Sequence, residues 1–394
     1  MNFDYSEEHQ QLKREVRRFL EERCPPAAVR AILDDPNGAF DRRLWGDIAE
    51  LGWLGAAIPE RWGGSGLGYI ELCAIAEELG RAIAPVPFAS SLYFFAEALL
   101  LAGSEAQQAK WLPRIAGGTA IGCFASSEGP GQTLRPRTVV ASGRIEGLKI
   151  PVTDGHIADV AVVLGLESGD PGLFLVELDQ DGVERERLES LDDSRGLAQL
   201  RFTGAHAEQL GESGAGVALT DRVFTRAAAL MAFEQLGGAD RCLEMARDHA
   251  LQRHAFGRPI GANQAIKHRL ADMYVKNELA RSNAYYGGWA LATDAAELPV
   301  AAAAARLAAC DAFGFAAREN IQVHGGMGFT WESDAHLYFR RARHLSLVAG
   351  APARWSDSLV NALARGPAVS PRMVSATAVS ASAVTANSAP TVGA

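Results

Sequence analysis

The stretch Arg253-His-Ala-Phe-Gly-Arg-Pro-Ile-Gly-Ala-Asn-Gln264 lies between two long runs of helical periodicity. Pro259 cannot continue a helix, and Gly257 and Gly261 allow the chain to turn, so the stretch predicts a helix–helix connection. Arg253 supplies a planar, permanently charged set of donors that suits a diphosphate. The alternative interpretation is an ordinary loop with a surface arginine.

The runs on both sides of this connection are long enough for bundle helices. Helical periodicity extends over residues 223–251, 263–293 and 297–323. The uninterrupted alanines 301–305 let the backbone of the third run approach a neighbour closely. Three or four helices of this kind predict a C-terminal bundle over residues 215–366.

Upstream of the bundle, residues 120–214 have the pattern of a β domain. Apolar or alternating runs of five to six residues recur, as in Val160–Leu164, Leu173–Leu178 and Ala198–Phe202. Turn dipeptides such as Ser142-Gly143 and Asp181-Gly182 separate such runs. This pattern predicts an antiparallel barrel or sandwich.

The two ends of the chain differ from this middle region. Residues 1–119 show helical periodicity, for example over Tyr69–Gly80, and predict an N-terminal helical domain. Residues 367–394 are rich in Ala, Ser, Val, Thr and Pro and have no periodicity, so we expect a disordered tail.

Composition excludes several classes of protein. The 394 residues carry a net charge of −9, so no basic field is available to hold nucleic acid. The five cysteines are scattered and form no CxxC pair, which indicates neither a disulfide framework nor a zinc site. The apolar stretch Leu92–Ala102 is too short to span a bilayer, and the N-terminus lacks a signal-peptide core. We expect a cytoplasmic protein without membrane contact.

A second glycine-rich motif, Gln322-Val-His-Gly-Gly-Met-Gly-Phe-Thr330, follows the alanine-rich run. A helix C-cap explains Gly325 but neither Gly326 nor Gly328, so close backbone approach to a ligand is the functional interpretation. His324 suggests catalysis, although a lone histidine is more often structural.

Together the two motifs resemble those of the acyl-CoA dehydrogenase family of flavoproteins. That family has Arg-x-x-Phe-Gly-x-Pro-Ile-x-x-x-Gln followed by Gln-x-x-Gly-Gly-x-Gly, and both occur here, about 60 residues apart as in the family. Leu210–Gly216 and Trp53–Gly64 add supporting matches, and Gly326–Tyr338 resembles actinobacterial members of the family. The resemblance implies a mainly α fold with a β middle domain: a helical domain, a β-barrel-like domain and a four-helix bundle.

The resemblance also implies FAD as cofactor, acyl-CoA as substrate and electron-transferring flavoprotein as electron acceptor. It further implies that the chain assembles into a tetramer, either a homo-oligomer or a hetero-oligomer. Ser127 and Thr153 would place hydroxyls against the isoalloxazine. Six residues would contact the diphosphate and adenosine half of the neighbouring subunit's FAD: Arg253, Phe256, Gln264, Gln322, Gly325 and Gly326.

The sequence departs from the family pattern near the flavin. Ser127-Glu-Gly-Pro-Gly-Gln132 lacks the family's Gly-Ser-Asp turn, and Pro151 takes the place of an aromatic residue. Ala349 and Ala227 occupy the two positions at which members carry the catalytic glutamate. Such a base is required because the α-proton of a thioester is very weakly acidic.

Three functions are compatible with these departures. The chain is a non-catalytic subunit that completes a partner's FAD site, for example in an α2β2 enzyme acting on steroid side-chain thioesters. Alternatively, it is a self-sufficient dehydrogenase with a relocated base, for which Glu234 is the candidate, about 10 Å along the helix from Ala227. A flavin-dependent monooxygenase relative, which needs no carboxylate, is the third.

Overall fold

A computed structural model describes residues 5–35, 38–130 and 134–364 of the chain. The tail 367–394, expected from the sequence to be disordered, lies outside the described residues, as does Gln132.

The first part of the chain is helical, as its periodicity predicts. Ser6 and Ser104 open two of the helices with capping boxes, in which the serine hydroxyl accepts from a backbone N–H of the first turn. A π-helical segment, Ala89–Ala96, is buried throughout and continues into the fifth helix. The helices are α1 (Glu7–Arg23), α2 (Pro26–Asp34), α3 (Arg42–Glu50), α4 (Tyr69–Arg81), α5 (Glu97–Ala102) and α6 (Glu105–Ala116).

A twisted sheet follows, and the predicted apolar runs are its strands. The strands are β1 (Gly122–Ala125), β2 (Val139–Ala141), β3 (Arg144–Thr153), β4 (Val160–Glu167), β5 (Asp170–Glu177), β6 (Val183–Leu188), β7 (Leu197–His206) and β8 (Glu208–Leu210). Their order is β6-β7-β3-β2-β4-β5-β8, with β1 beside β4. β4 and β5 are buried along most of their length, which explains their continuous apolar sequence.

The expectation of a purely antiparallel sheet is wrong at two pairings. Both β1 and β2 run parallel to β4, with Gly122 opposite Val160 and Val139 opposite Leu166. β1 and β2 have only four and three residues. Strands of that length carry too little alternation for sequence to indicate their partner or direction.

The second half of the chain is a bundle of long helices whose predicted bounds agree with the structure within a few residues, apart from the start of α7. Its core is rich in alanine, as the run Ala301–Ala305 indicated. The elements are α7 (Gly216–Gln252), the hairpin β9 (His254–Ala255) and β10 (Arg258–Pro259), α8 (Gln264–Ala292), α9 (Leu298–His324), α10 (Ala335–Leu347) and α11 (Pro352–Ala364). By length and composition the segment Leu298–Phe329 could cross a membrane, but 56% of its most apolar window is buried inside the protein, which fits a core helix.

Two glycines bring α4 of the first part against α7 of the bundle. A Cβ placed on Gly80 would lie 1.8 Å from the carbonyl oxygen of Glu234, and one on Gly237 would lie 1.8 Å from that of Glu77. Both contacts are to backbone atoms, which cannot rotate away as a side chain can. The two helix backbones are therefore as close as glycine permits.

We predict that Gly237→Ala destabilises the protein by about 2 kcal/mol or more, because the new methyl group must push two helices apart. The matched control is Gly314→Ala on α9, where an added Cβ meets nothing within 4 Å. That change is expected to stabilise by about 0.5–1 kcal/mol through helix propensity. Urea unfolding of both variants measures the difference, and equal effects would contradict the assignment of close contact.

Candidate functional site

A cavity of about 970 Å³ lies where the sheet, the π-helical segment and the bundle meet. Its wall is largely apolar and aromatic, with a few hydroxyls and charged groups toward the end of α10. The residues that line it include Ser90, Phe94, Phe124, Ser126, Ser127, Leu134, Pro151, Thr153, Leu191, Asp192, Asp221, Phe224, His344, Leu347, Ala349, Arg354 and Asp357. This size and lining suit a small-molecule or cofactor site.

Ser127 and Thr153, the two hydroxyl residues that the sequence singled out on the β domain, both line this cavity. The backbone N–H of Ile150 donates to the carbonyl oxygen of Ser127 at 2.9 Å, so the Ser127 loop lies directly on β3. Pro151 lines the cavity between them, at a register shift where the β3–β7 pairing passes from Lys149 to Val152. A proline is tolerated there because no ladder hydrogen bond needs its nitrogen.

Glu128 anchors the loop that carries Ser127. Its carboxylate accepts hydrogen bonds from the backbone N–H groups of Arg137 and Thr138 and from Lys149 Nζ at 2.6 Å. Burial opposes ionisation, but the hydrogen bonds from Lys149 and Thr138 outweigh it and lower the pKa of Glu128 to about 2. Burial lowers the pKa of Lys149 to about 8, although Glu128 opposes that shift. The ion pair fixes the loop that carries Ser127.

Ala349 also lines the cavity, in a left-handed conformation with φ of 62°. The fully buried Arg306 holds the chain beside it by donating to the carbonyl oxygens of Leu345 and Val348. The position at which the resemblance places a catalytic glutamate therefore reaches the cavity, but its side chain is a methyl group.

Sequence reasoning missed several polar residues of the cavity wall, among them Asp192, Asp221 and His344. Asp192 is buried and accepts from Arg341 Nε at 2.6 Å. Asp221 is exposed and pairs with Arg354 at 3.0 Å. His344 is buried, its Nε2 has no hydrogen-bond partner within the described part of the chain, and burial lowers its pKa to about 4, so it is neutral near pH 7. Of these three, His344 lies five residues before Ala349, within the stretch that the resemblance aligns with the family's base.

Glu234, the relocated-base candidate, is not among the residues that line the cavity. Its side chain is 5% exposed and lies between two buried guanidinium groups, 3.6 Å from Arg195 and 3.8 Å from Arg341. Ala227 is fully buried on the same helix. This placement gives Glu234 a structural environment and offers no support for a role as base.

The other six predicted residues lie at a different place, where α7 and α9 end. Arg253 is the C-cap of α7, and Phe256 lies at the tip of the β9–β10 hairpin, fully exposed and with φ of 52°. Gln264 begins α8, Gln322 lies in the last turn of α9, and Gly325 ends that helix with φ of 65°. A Cβ on Gly325 or Gly326 would meet nothing within 4 Å, so open space borders both.

The structure therefore divides the eight predicted residues into two groups. Ser127 and Thr153 line the cavity, and none of the six at the helix ends does so. The helix-end group has the chemistry that a diphosphate needs: Arg253 makes no ion pair with a described residue, and the glycines leave room for close approach. These residues fit FAD as a cofactor.

Comparison with known proteins identifies a family. The model for "Acyl-CoA dehydrogenase, N-terminal domain" matches residues 6–119, and that for "Acyl-CoA dehydrogenase, C-terminal domain" matches residues 214–359. The acyl-CoA dehydrogenase IpdE2 of Mycobacterium tuberculosis is 36% identical over 349 residues, which cover 88% of this chain and 94% of the relative.

Solved structures give the same result. The ChsE4–ChsE5 complex from Mycobacterium tuberculosis matches with a TM-score of 0.85 and 29% identity, over 93% of this chain and 100% of the matched chain. A variant of the Tcur3481–Tcur3483 steroid ACAD matches with a TM-score of 0.83 and 28% identity, over 91% and 98%.

We predict that Glu234→Gln destabilises the fold by about 2 kcal/mol, because it removes the charge of one of the two buried carboxylates beside each of Arg195 and Arg341 and leaves only Asp154 and Asp192. The matched control is Glu278→Gln on α8, whose carboxylate pairs with Arg281 but is 45% exposed. Loss of that surface pair is expected to cost less than about 1 kcal/mol. Chemical unfolding measures both, and a change below about 1 kcal/mol at Glu234 would contradict the structural role.

Proposed function

Because the chain belongs to the acyl-CoA dehydrogenase family, whose members are FAD-binding oxidoreductases, we propose that it is the non-catalytic subunit of a heteromeric acyl-CoA dehydrogenase. In this role its bundle supplies the diphosphate-binding residues for FAD held by a catalytic partner. The partner carries out α,β-desaturation of the acyl-CoA thioester.

The observation that carries this proposal is the methyl group of Ala349 on the cavity wall. Desaturation requires a carboxylate to remove the α-proton of the thioester, while bound FAD accepts the β-hydride. The family's base would project into the cavity from this position. With alanine there, the cavity lacks the group that starts the reaction.

The acids on the cavity wall do not replace the missing glutamate. Asp192 is held by the buried Arg341, and Asp221 already pairs with Arg354. Burial disfavours the charged form of Asp192, but the charge of Arg341 outweighs this and lowers the pKa of Asp192, which makes it a weaker proton acceptor. Asp357 lies on an exposed position of α11, where water competes for the carboxylate.

The helix-end group, in contrast, has what a neighbour's cofactor would need. Arg253 is exposed and free of carboxylate partners among the described residues, and Gly325 and Gly326 border open space. Large apolar side chains surround this group, with Phe256 103% exposed and Phe329 85% exposed. Such side chains on a soluble protein indicate a surface that another chain covers.

The similar structures support a heteromer in particular. One is titled as a complex of ChsE4 with ChsE5, and another as the pair Tcur3481–Tcur3483 described as a steroid ACAD. By this likeness we propose an α2β2 assembly that acts in the cytoplasm on CoA thioesters derived from steroids. Electron-transferring flavoprotein is the proposed electron acceptor.

We predict that Arg253→Ala weakens FAD binding by the heteromer about ten- to hundredfold, because a charge-assisted hydrogen bond to the diphosphate contributes about 1.5–3 kcal/mol. The matched control is Arg247→Ala, which removes an exposed arginine near the same end of α7 that pairs with its neighbour Asp248. Flavin content after dialysis and FAD titration of the stripped complex give the result. Equal flavin retention by the variant and the wild type would refute the role of Arg253.

We predict that the purified chain without a partner does not dehydrogenate acyl-CoA. The test is anaerobic bleaching of bound flavin with short-chain, medium-chain and steroid acyl-CoA thioesters. Ala349→Glu is expected to restore bleaching only in part, because Pro151 also alters the cavity wall. Rapid bleaching by the wild-type homomer would overturn the proposal, and reaction with oxygen to give a hydroxylated product would favour a monooxygenase.

A further inference from the structure

Two histidines from different helices stack face to face beside Arg253. His249 lies in the last turn of α7 and His324 in the last turn of α9. Their ring centroids are 4.2 Å apart, with 27° between the ring planes. Arg253 lies one turn after His249, and its backbone N–H donates to the carbonyl oxygen of His249 at 2.8 Å. The pair therefore adjoins the residue proposed to bind the diphosphate.

The hydrogen bonding of His324 fixes its neutral tautomer. Nδ1 lies 2.8 Å from the carbonyl oxygen of Asn320. Because a carbonyl oxygen can only accept, Nδ1 carries the hydrogen and Nε2 is the site at which a further proton would bind. His324 can thus become a cation without losing its bond to the helix.

The surroundings of His249 disfavour its protonation in the absence of an anion. Burial lowers the pKa of His249, and the nearby charges of His324 and Arg253 lower it further. Two protonated rings at this separation would repel each other strongly.

The other charged groups on the adjoining elements are engaged with one another or are themselves basic, so none of them favours protonation of the histidine pair. On α7 Asp248 pairs with Arg247, and on α9 Glu319 pairs with Arg269 of α8. The hairpin adds only the basic residues His254 and Arg258, of which Arg258 donates to Asn263. The turn over Gly325–Phe329 has no titratable group.

We propose that His249 and His324 together take up one proton when the diphosphate of FAD binds beside Arg253, and so form a pH-dependent part of that site. This inference rests on the proposed function. The proton comes from solvent and binds to one imidazole of the pair, whose positive charge then faces the anion.

Charge balance favours this proton uptake. The ends of α7 and α9 converge here, and each helix C-terminus carries a partial negative charge that disfavours an anion but stabilises an imidazolium. A diphosphate diester brings two negative charges, of which Arg253 neutralises one. Arg258 of the hairpin donates to Asn263, and the stacked pair adjoins Arg253 directly, so the pair is placed to provide a further cation. Since the bound anion raises the imidazole pKa, affinity is greatest at low pH and falls as pH rises through that pKa.

The test uses the flavin-stripped heteromer and isothermal titration with FAD, whose diphosphate has no titrating group near neutral pH. Titrations in two buffers of different ionisation enthalpy count the protons taken up. We expect about half a proton or more at pH 7, and an affinity about three- to tenfold higher at pH 6 than at pH 7.5. His324→Gln and His249→Gln should abolish most of the uptake and flatten the pH dependence. His206→Gln, an exposed histidine on β7, is the matched control.

The outcomes separate this inference from the proposed function. FAD binding that depends on Arg253 but takes up the same number of protons in all histidine variants would overturn the inference and leave the proposed function intact. Absence of FAD binding, or binding indifferent to Arg253→Ala, would overturn both. Loss of proton uptake in the His324 and His249 variants alone, with His206→Gln unchanged, supports the proton-linked site.

Discussion

The packing of the N-terminal helices, the sheet and the bundle on one another depends on a network around one buried carboxylate. Glu234 of α7 lies between the guanidinium groups of Arg195, next to the sheet, and Arg341, on α10. Arg341 also donates to Asp192 and to the carbonyl oxygen of Ile83, so its single side chain bonds the bundle to the sheet and to the N-terminal helices. An uncompensated charge here would be costly, and a satisfied network holds the surrounding elements in one arrangement. Asp192 of this network also lines the cavity.

The sequence predicted the long helices well because their apolar period repeats over many turns. It could not reveal the parallel pairings of β1 and β2, whose few residues carry no pattern. The two motifs follow long helices of one bundle, and the structure places Arg253 at the end of α7 and Gly325 at the end of α9, while their contact with FAD stays a prediction. The surroundings of Glu234 could not be predicted, since its partners Arg195 and Arg341 are distant in sequence and only the fold brings them together.

Because the candidate site is divided between a cavity and a helix-end group, we expect flavin binding and oligomeric state to be linked. Ser127 lies at the cavity and Arg253 at the end of α7, and none of the helix-end residues lines the cavity. Under the proposed function, a cofactor that needs both halves binds the assembled protein in preference to the separated chains. By mass action such a cofactor stabilises the assembly, and flavin content and oligomeric state then change together.

The π-helical segment Ala89–Ala96 makes the cavity wall sensitive to a one-residue deletion during evolution. Each π turn closes around one more residue than an α turn does, so the segment amounts to an α-helix with an inserted residue. Loss of a single codon there would restore the α turn and rotate the side chains on one side of the deletion by about 100°. Ser90 and Phe94, which line the cavity, both lie in this segment. One short deletion would thus change the ligand that fits while α7, α8 and α9 kept their packing.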